Sequence, residues 1–258
     1  MEQCKNMFEK IYAWENLLDA YHHAASEKWF RDDVAAFSAH LGENLTDIQN
    51  SLIWKTYTVG RYHEFYVYEP KKRLVMALNF RDRVVQWAIY LQLNPLLDNQ
   101  FIYHSYGCRV GKGTTRAADQ LQYWMRMADR KPIPWYYLKL DISKYFYRVD
   151  HNVLLGILRR KFKGEDDLLW LMDKIINCDH TPFGLPPGLN VDDIPPSERL
   201  FEVGMPIGNL TSQLLANVCL NELDQYIKHE LRVHCYVRYM DDMVLLHPDK
   251  TFLNKCKD

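Results

Sequence analysis

Apolar residues recur at two distinct periods along this chain, and the change of period divides it. Through the first fifty or so residues the spacing is helical. Trp14, Leu17, Leu18 and Tyr21 form one stripe, and Val34, Phe37, Leu41, Leu45, Ile48 and Leu52 form another. The segments Asp82–Leu97 and Leu210–Glu230 also read as helices, the first of them buried. Elsewhere the period drops to two. Tyr62–Tyr68 and Leu74–Leu78 predict a hairpin around a basic turn, and Trp135–Ile142 alternates as a strand. In that strand Leu138, Leu140 and Ile142 share one face, while Lys139 and Asp141 share the other. Tyr236-Val237-Arg238 and Met243-Val244-Leu245-Leu246 predict two more strands, joined by a tight turn at Tyr239-Met240-Asp241-Asp242. Asp150 has the character of a helix cap leading into Val153–Leu158. The Pro- and Gly-rich stretch from Thr181 to Pro206 has no period and predicts a long loop. No internal repeat or low-complexity segment is present.

The turn is the chemically telling segment. Asp241 and Asp242 are adjacent carboxylates between two apolar strands, where like charges repel and a cation relieves the repulsion. An ordinary Asp-Asp hairpin turn is the plain alternative, but a solvated turn seldom has core-like strands on both sides. Asp141 adds a third carboxylate at the end of a core strand, pointing away from the core. Three such groups make the set that two-metal phosphoryl transfer requires, with cations about 3.5–4 Å apart clamping the attacking and leaving oxygens.

Asp141-Ile142-Ser143-Lys144-Tyr145-Phe146, Gly208-Asn209-Leu210-Thr211-Ser212-Gln213 and Tyr239-Met240-Asp241-Asp242 resemble, in order, the three palm motifs of reverse transcriptases. Tyr68-Glu69-Pro70-Lys71-Lys72-Arg73-Leu74-Val75, Phe80-Arg81-Asp82-Arg83-Val84-Val85-Gln86 and Tyr106-Gly107-Cys108-Arg109-Val110-Gly111-Lys112-Gly113 are similar to the fingers motifs of the bacterial members. The resemblance runs from about Trp14 to the C-terminus. Most reverse transcriptases carry QGxxxSP at the middle palm motif; here Ile207 replaces the glutamine and Gln213 the proline. That pair of departures resembles the diversity-generating retroelement enzymes of bacteria and phages, which copy a template-repeat RNA with errors at adenines. A group II intron or retron-type reverse transcriptase is the alternative that the same motifs allow.

The resemblance implies a right-hand polymerase of α+β class, with fingers and palm and an antiparallel palm sheet backed by helices. Residues 1–60 are expected to form an N-terminal helical extension, 61–134 the fingers and 135–258 the palm, which contains loop 181–206. No thumb sequence is expected, because the chain ends sixteen residues after Asp242. The implied activity is RNA-directed DNA polymerisation with two Mg2+ ions, Mn2+ being the alternative. Asp141, Asp241 and the backbone carbonyl of Ile142 would hold the ions, and Asp242 would support them. Lys71 and Arg73 would reach the incoming triphosphate, while Lys72 reads as a solvated turn charge. Phe146 would lie beneath the nucleotide sugar and exclude a ribose 2′-hydroxyl, its alternative being a core residue at a strand-to-helix corner. Phe146 also argues against an RNA-dependent RNA polymerase. Ile207, Gly208 and Gln213 would border the nascent base pair, with Ile207 lowering fidelity. Arg81, Arg83, Arg109 and Lys112 are the template-side candidates, although Arg83 could equally pair with Asp82 or a neighbouring helix. Tyr239 and Met240 would touch the primer end.

Charge changes the picture only locally. The net charge is −1, yet 71–131 holds eleven Lys and Arg against four Asp, a balance of +7 in the region of the fingers motifs. Phosphate contacts there would make binding salt-dependent. The expected partners are an RNA template, a DNA or RNA primer and deoxynucleotides. A small basic accessory protein would suit the acidic remainder. Without catalysis, the same surfaces would serve a non-catalytic RNA- or partner-binding module. Six cysteines without a CxxC pair suggest neither zinc nor disulfides, and Cys178-Asp179-His180 reads as no metal site. No signal peptide or membrane-length run is present, so a reducing cytoplasm is the expected setting, with no membrane partner; the resemblance implies a bacterial or phage-encoded protein.

Overall fold

The apolar stripe from Val34 to Leu52 breaks at His40, and the break makes two helices where the periodicity suggests one. The computed structural model describes residues 6–68 and 72–257, which form two compact units, each assembled from two separated stretches of chain. Lys71, the first triphosphate candidate, lies outside the described residues.

The first unit comprises Met1–Leu96 and Phe146–Leu214. Its helices are α1 (Met7–Tyr12), α2 (Trp14–Ala25), α3 (Asp32–Ala39), α4 (Leu41–Ile53) and α5 (Phe80–Asp98), and its hairpin is β1 (His63–Val67) with β2 (Arg73–Ala77). Leu17, Leu45, Ile48, Leu52, Ile89 and Leu93 are fully buried, as the stripes require, whereas Trp14 stays exposed at the start of α2. Asn16 is buried among them with its polar atoms satisfied. Its amide donates to the carbonyls of Ile11 (2.9 Å) and Ala88 (3.0 Å), and it accepts from Gln92 at 2.6 Å. Asp82 is buried at the start of α5, where it accepts from the Tyr57 hydroxyl (2.8 Å) and the Gly60 amide (2.9 Å).

The β1–β2 hairpin is antiparallel, with His63 opposite Ala77 and Val67 opposite Arg73. The long loop is tied to this hairpin. Arg199, buried, makes a forked ion pair with Glu64 of β1 (2.8 and 3.2 Å), and Asp192 accepts from Lys72 at 2.9 Å. The loop also bridges back on itself between Gly184 and Leu200. Beyond it in this unit are the two-helix layer α7 (His151–Lys161) and α8 (Asp166–Ile176). Asp150 caps α7 by accepting from the Val153 amide at 3.0 Å, as its sequence context predicts.

The second unit comprises Leu97–Tyr145 and Leu215–Asp258. It contains α6 (Thr114–Asp129), β3 (Tyr136–Asp141), most of α9 (Leu210–Gln225), a following π-turn at Tyr226–Glu230, β4 (Cys235–Tyr239), β5 (Asp242–His247) and α10 (Lys250–Lys255). The strands form an antiparallel sheet in the order β3-β5-β4. One face buries Val237 and Leu246 under Trp124 and Ala117 of α6. The other buries Tyr236, Met243 and Leu245 with Ile227 and Leu253. Leu138, Leu140 and Ile142 pack on that second face, and Lys139 and Asp141 point away from it, so the predicted alternation holds. Two small antiparallel sheets among helices, with α6 and α10 packed against the three-stranded one, make the α+β class.

His104 belongs to this second core. Its ring stands edge-on to Trp124 with centroids 4.7 Å apart, and Nδ1 lies 3.1 Å from the Tyr106 hydroxyl. Burial, with Lys228 and Lys112 nearby, pushes its pKa down to about 4. The unfolded chain, with an ordinary histidine pKa near ~6.5, therefore binds the extra proton first as pH falls. Stability from His104 is complete above about pH 6.5 and declines between there and about pH 4. Urea midpoints measured from pH 7 to pH 4 should show a steeper acid decline in the native chain than in a His104→Gln variant.

Candidate active site

The tip of the three-stranded sheet collects the carboxylates. Asp141 ends β3, Asp242 begins β5, and the two are direct partners in the antiparallel register. Opposed residues in such a pair send their side chains to the same face, about 4.5–5.5 Å apart at Cβ. Asp241 precedes Asp242 in the turn from β4 and is partly buried. Lys139, two residues before Asp141 on the same face of β3, holds its ammonium 3.4 Å from Asp242 Oδ1. Both groups of that pair are more than half exposed, so water screens much of the attraction. Ile142 packs into the core beside Leu140, which fixes the backbone just after Asp141.

These donors are all oxygens, the set a hard divalent cation takes. Among the described residues, however, no three His, Cys, Asp or Glu side chains converge as a ready metal cage. The donor chemistry fits magnesium, which completes its shell with water and substrate oxygens, better than a cation that demands an all-protein cage.

The turn itself is held by neighbours that the periodicity does not single out. Met240 adopts a left-handed conformation with φ +52° and is buried. Gly107 lies so close beneath it that a Cβ there would meet the Met240 nitrogen at 2.6 Å. Tyr239 and Met240, expected at a primer end, thus have an inward role as well: Tyr239 packs partly into the α6 core and Met240 against Gly107. Segment 104–107 runs beside β4, with the Arg238 amide donating to the His104 carbonyl (3.0 Å) and Tyr106 donating to the Arg238 carbonyl (2.9 Å). Arg238 is fully buried on β4 and paired with Asp224 of α9, also fully buried. The sequence trace of this pair is a single charged residue in an otherwise uncharged strand.

Arg109 and Lys112 lie in the loop between α5 and α6. Arg109 makes five hydrogen bonds, to both Asp98 oxygens and to the carbonyls of Asp98, Ile102 and Ser105. Those bonds match all five N–H donors of a guanidinium, so Arg109 builds the loop and offers no donor outward. Lys112 sits 3.5 Å over the Tyr103 ring and donates to the Tyr103 carbonyl at 2.9 Å.

The remaining candidates belong to the first unit. Arg73 is exposed at the start of β2, and exposed Lys72 lies 4.3 Å over the Tyr66 ring besides pairing with Asp192. Arg83 pairs with Asp33 of α3 at 2.6 Å, so of its two structural readings the neighbouring helix is realised and Asp82 is not. Arg81 reaches the Ser51 hydroxyl at 3.1 Å and lies over the Tyr57 ring. Phe146 is half-buried in a single 3-10 turn, Tyr145–Tyr147, and its carbonyl accepts from the Met205 amide at 2.6 Å. The Ile207 carbonyl accepts from the Met76 amide at 2.9 Å, which brings the following glycine against β2. Gly208 has φ +117°, and a Cβ on it would lie 2.9 Å from Val75, so both its backbone angle and its surroundings require glycine. Gln213 is partly buried in the first turn of α9, where its amide donates to the Asn209 carbonyl.

Residues 68–258 match the family described as reverse transcriptase (RNA-dependent DNA polymerase), and the chain belongs to that family. Protein YkfC of Escherichia coli K12 is 30% identical over 150 residues, covering 58% of this chain and 35% of that protein. The group II intron-encoded protein LtrA of Lactococcus lactis is 23% identical over 241 residues, 88% of this chain and 36% of its own length. The chain therefore spans little more than a third of the length of these curated relatives. Among solved structures, a partial Cas6-RT-Cas1–Cas2 complex shares the fold with a TM-score of 0.53 at 20% identity, over 94% of this chain and 38% of that one.

Proposed function

We propose that this chain carries the fingers and palm of an RNA-directed DNA polymerase that extends a primer with deoxynucleotides. The observation that carries the reading is the pairing of Asp141 with Asp242 across the β3–β5 ladder, with Asp241 adjoining them in the turn. In this reading 1–60 is an N-terminal extension, 61–134 the fingers and 135–258 the palm. Asp141, Asp241 and the Ile142 carbonyl are the groups that would hold Mg2+, with Asp242 in support. When bound, the two ions would lower the pKa of the primer 3′-hydroxyl and neutralise the departing pyrophosphate. The chain's own residues orient the reactants. Arg73, exposed on β2, is assigned to the incoming triphosphate, for which a forked guanidinium is well suited. Lys71 is assigned there with it. Arg81 and Lys112 remain the template-side cations, and Tyr239 borders the primer end.

For the subfamily we propose a diversity-generating retroelement enzyme, supported by Ile207 and Gln213 at the glutamine and proline positions of the QGxxxSP pattern. An isoleucine cannot make the polar contact of a glutamine, and losing it weakens discrimination between correct and incorrect geometry. The group II intron reading is the second, supported by the likeness to LtrA over 88% of the chain. It expects faithful copying of adenines.

Primer extension on an RNA template, with sequencing of the products, tests both levels. Extension with errors concentrated opposite adenine supports the retroelement reading, and accurate extension supports the intron type. If wild-type chain extends with ribonucleotides as readily as with deoxynucleotides, the DNA-polymerase reading falls. A Phe146→Val variant should raise ribonucleotide incorporation by about tenfold to a hundredfold relative to wild type.

A further inference from the structure

Arg238 sits where a charge is most expensive. Its side chain and that of Asp224 are both wholly buried. Replacing such a pair by apolar residues of like volume is often neutral or even stabilising, so stability alone gives no reason for it. What distinguishes this pair is the third group it reaches. Nε and Nη2 of Arg238 grip the Asp224 carboxylate at 2.8, 3.0 and 2.7 Å. Nη1 donates to Asn217 Oδ1 at 3.0 Å and to the Met240 carbonyl at 3.1 Å. Asn217 in turn donates to the carbonyl of Gly107, the residue pressed against the Met240 backbone. Tyr236 completes the arrangement by donating to Asp224 at 2.7 Å.

The Met240 carbonyl and the Asp241 amide belong to one rigid peptide plane. Whatever holds that carbonyl inward also fixes the direction in which Asp241 leaves the turn. Met240 is in a left-handed conformation, which a non-glycine residue keeps only when its surroundings impose it. We propose that Arg238 is a positioning residue that aims Asp241 through the Met240 carbonyl, with Asp224 and Asn217 fixing the guanidinium. The claim rests on the polymerase reading for the use to which Asp241 is put. Arginine is required because one planar fork must meet a carboxylate on one side and two oxygens on the other; an ammonium cannot span them.

The test uses the 258-residue chain with Arg238→Met/Asp224→Leu, which removes both charges together, and Arg238→Lys, which keeps a charge opposite Asp224 but loses the fork. Thermal unfolding, Mn2+ binding by electron paramagnetic resonance, amide exchange and primer extension are measured on each. The double variant is expected to unfold no earlier than wild type. It should nevertheless bind Mn2+ about tenfold or more weakly and exchange its 240–242 amides faster, with the rest of β4 and β5 unchanged. Its kcat should fall while the KM for deoxynucleotide holds. Arg238→Lys should behave the same way, and it decides the question if the double variant fails to fold. Folded variants with wild-type Mn2+ binding and wild-type exchange at the turn would overturn the proposal. Should wild-type chain bind Mn2+ but extend no primer, the polymerase reading falls and the binding comparison still decides the role of Arg238. Should it bind no Mn2+, exchange at 240–242 decides alone.

Discussion

A chain carrying Asp241→Asn is expected to extend an RNA-templated primer about a thousandfold more slowly than wild type, or not measurably. The substitution leaves size and shape almost unchanged but removes the anionic oxygen that a divalent cation requires. Charge stabilisation by bound metal contributes several kcal/mol to phosphoryl transfer, and about 4 kcal/mol is three orders of magnitude in rate. Asp141→Asn should match it. Asp242→Asn should fall short, because Asp242 already faces the Lys139 ammonium and is assigned a supporting place. The folded state should survive all three changes, since each lessens repulsion among neighbouring carboxylates. Steady-state extension at saturating Mg2+, with thermal unfolding as the control, measures the ranking. Equal loss at all three positions would contradict the assigned division of roles.

Asp224→Ala should have the largest effect on stability. It strands the buried Arg238 guanidinium and takes the acceptor from the Tyr236 hydroxyl, both within the second unit's core. Removing one partner of a buried ion pair costs about 3–5 kcal/mol, because the remaining charge is left without water or counter-ion. That is a large part of the stability of an ordinary domain. Burial and the Asp224 charge raise the Tyr236 phenol well above its ordinary pKa, so it donates as a neutral hydroxyl across the working pH range. Urea denaturation should show a markedly lower midpoint for Asp224→Ala, with recovery when Arg238→Met is added. An unchanged midpoint would mean that water or another acceptor reaches the guanidinium.

Local pattern carried much of this molecule. The alternation of Leu138, Leu140 and Ile142 against Lys139 and Asp141 is a backbone property of any strand, so the face of Asp141 was readable before any fold was known. The tight turn between Tyr239 and Asp242 was equally readable, because two apolar runs bracket it. Helix α6 carries Ala117, Leu121, Trp124 and Ala128 at helical spacing, but its otherwise polar composition masks the stripe, and the periodicity did not single it out. His40 divides one apolar stripe into α3 and α4, a boundary that the spacing of apolar residues does not mark.

By itself, then, the sequence indicated several of the elements, the faces of the strands and the three candidate aspartates, since each depends on neighbours a few residues away. Only the tertiary structure decided which of those elements meet. It put Asp141 opposite Asp242 and folded two compact units from interleaved stretches of chain. It turned Arg109 inward onto Asp98 and Arg83 onto Asp33. It also buried Arg238 against Asp224 behind the Tyr239–Asp242 turn. A charged side chain carries no mark in sequence that tells a phosphate-facing role from an internal one. The difference is set by whether an acceptor, brought from elsewhere in the chain, replaces the water it loses on burial.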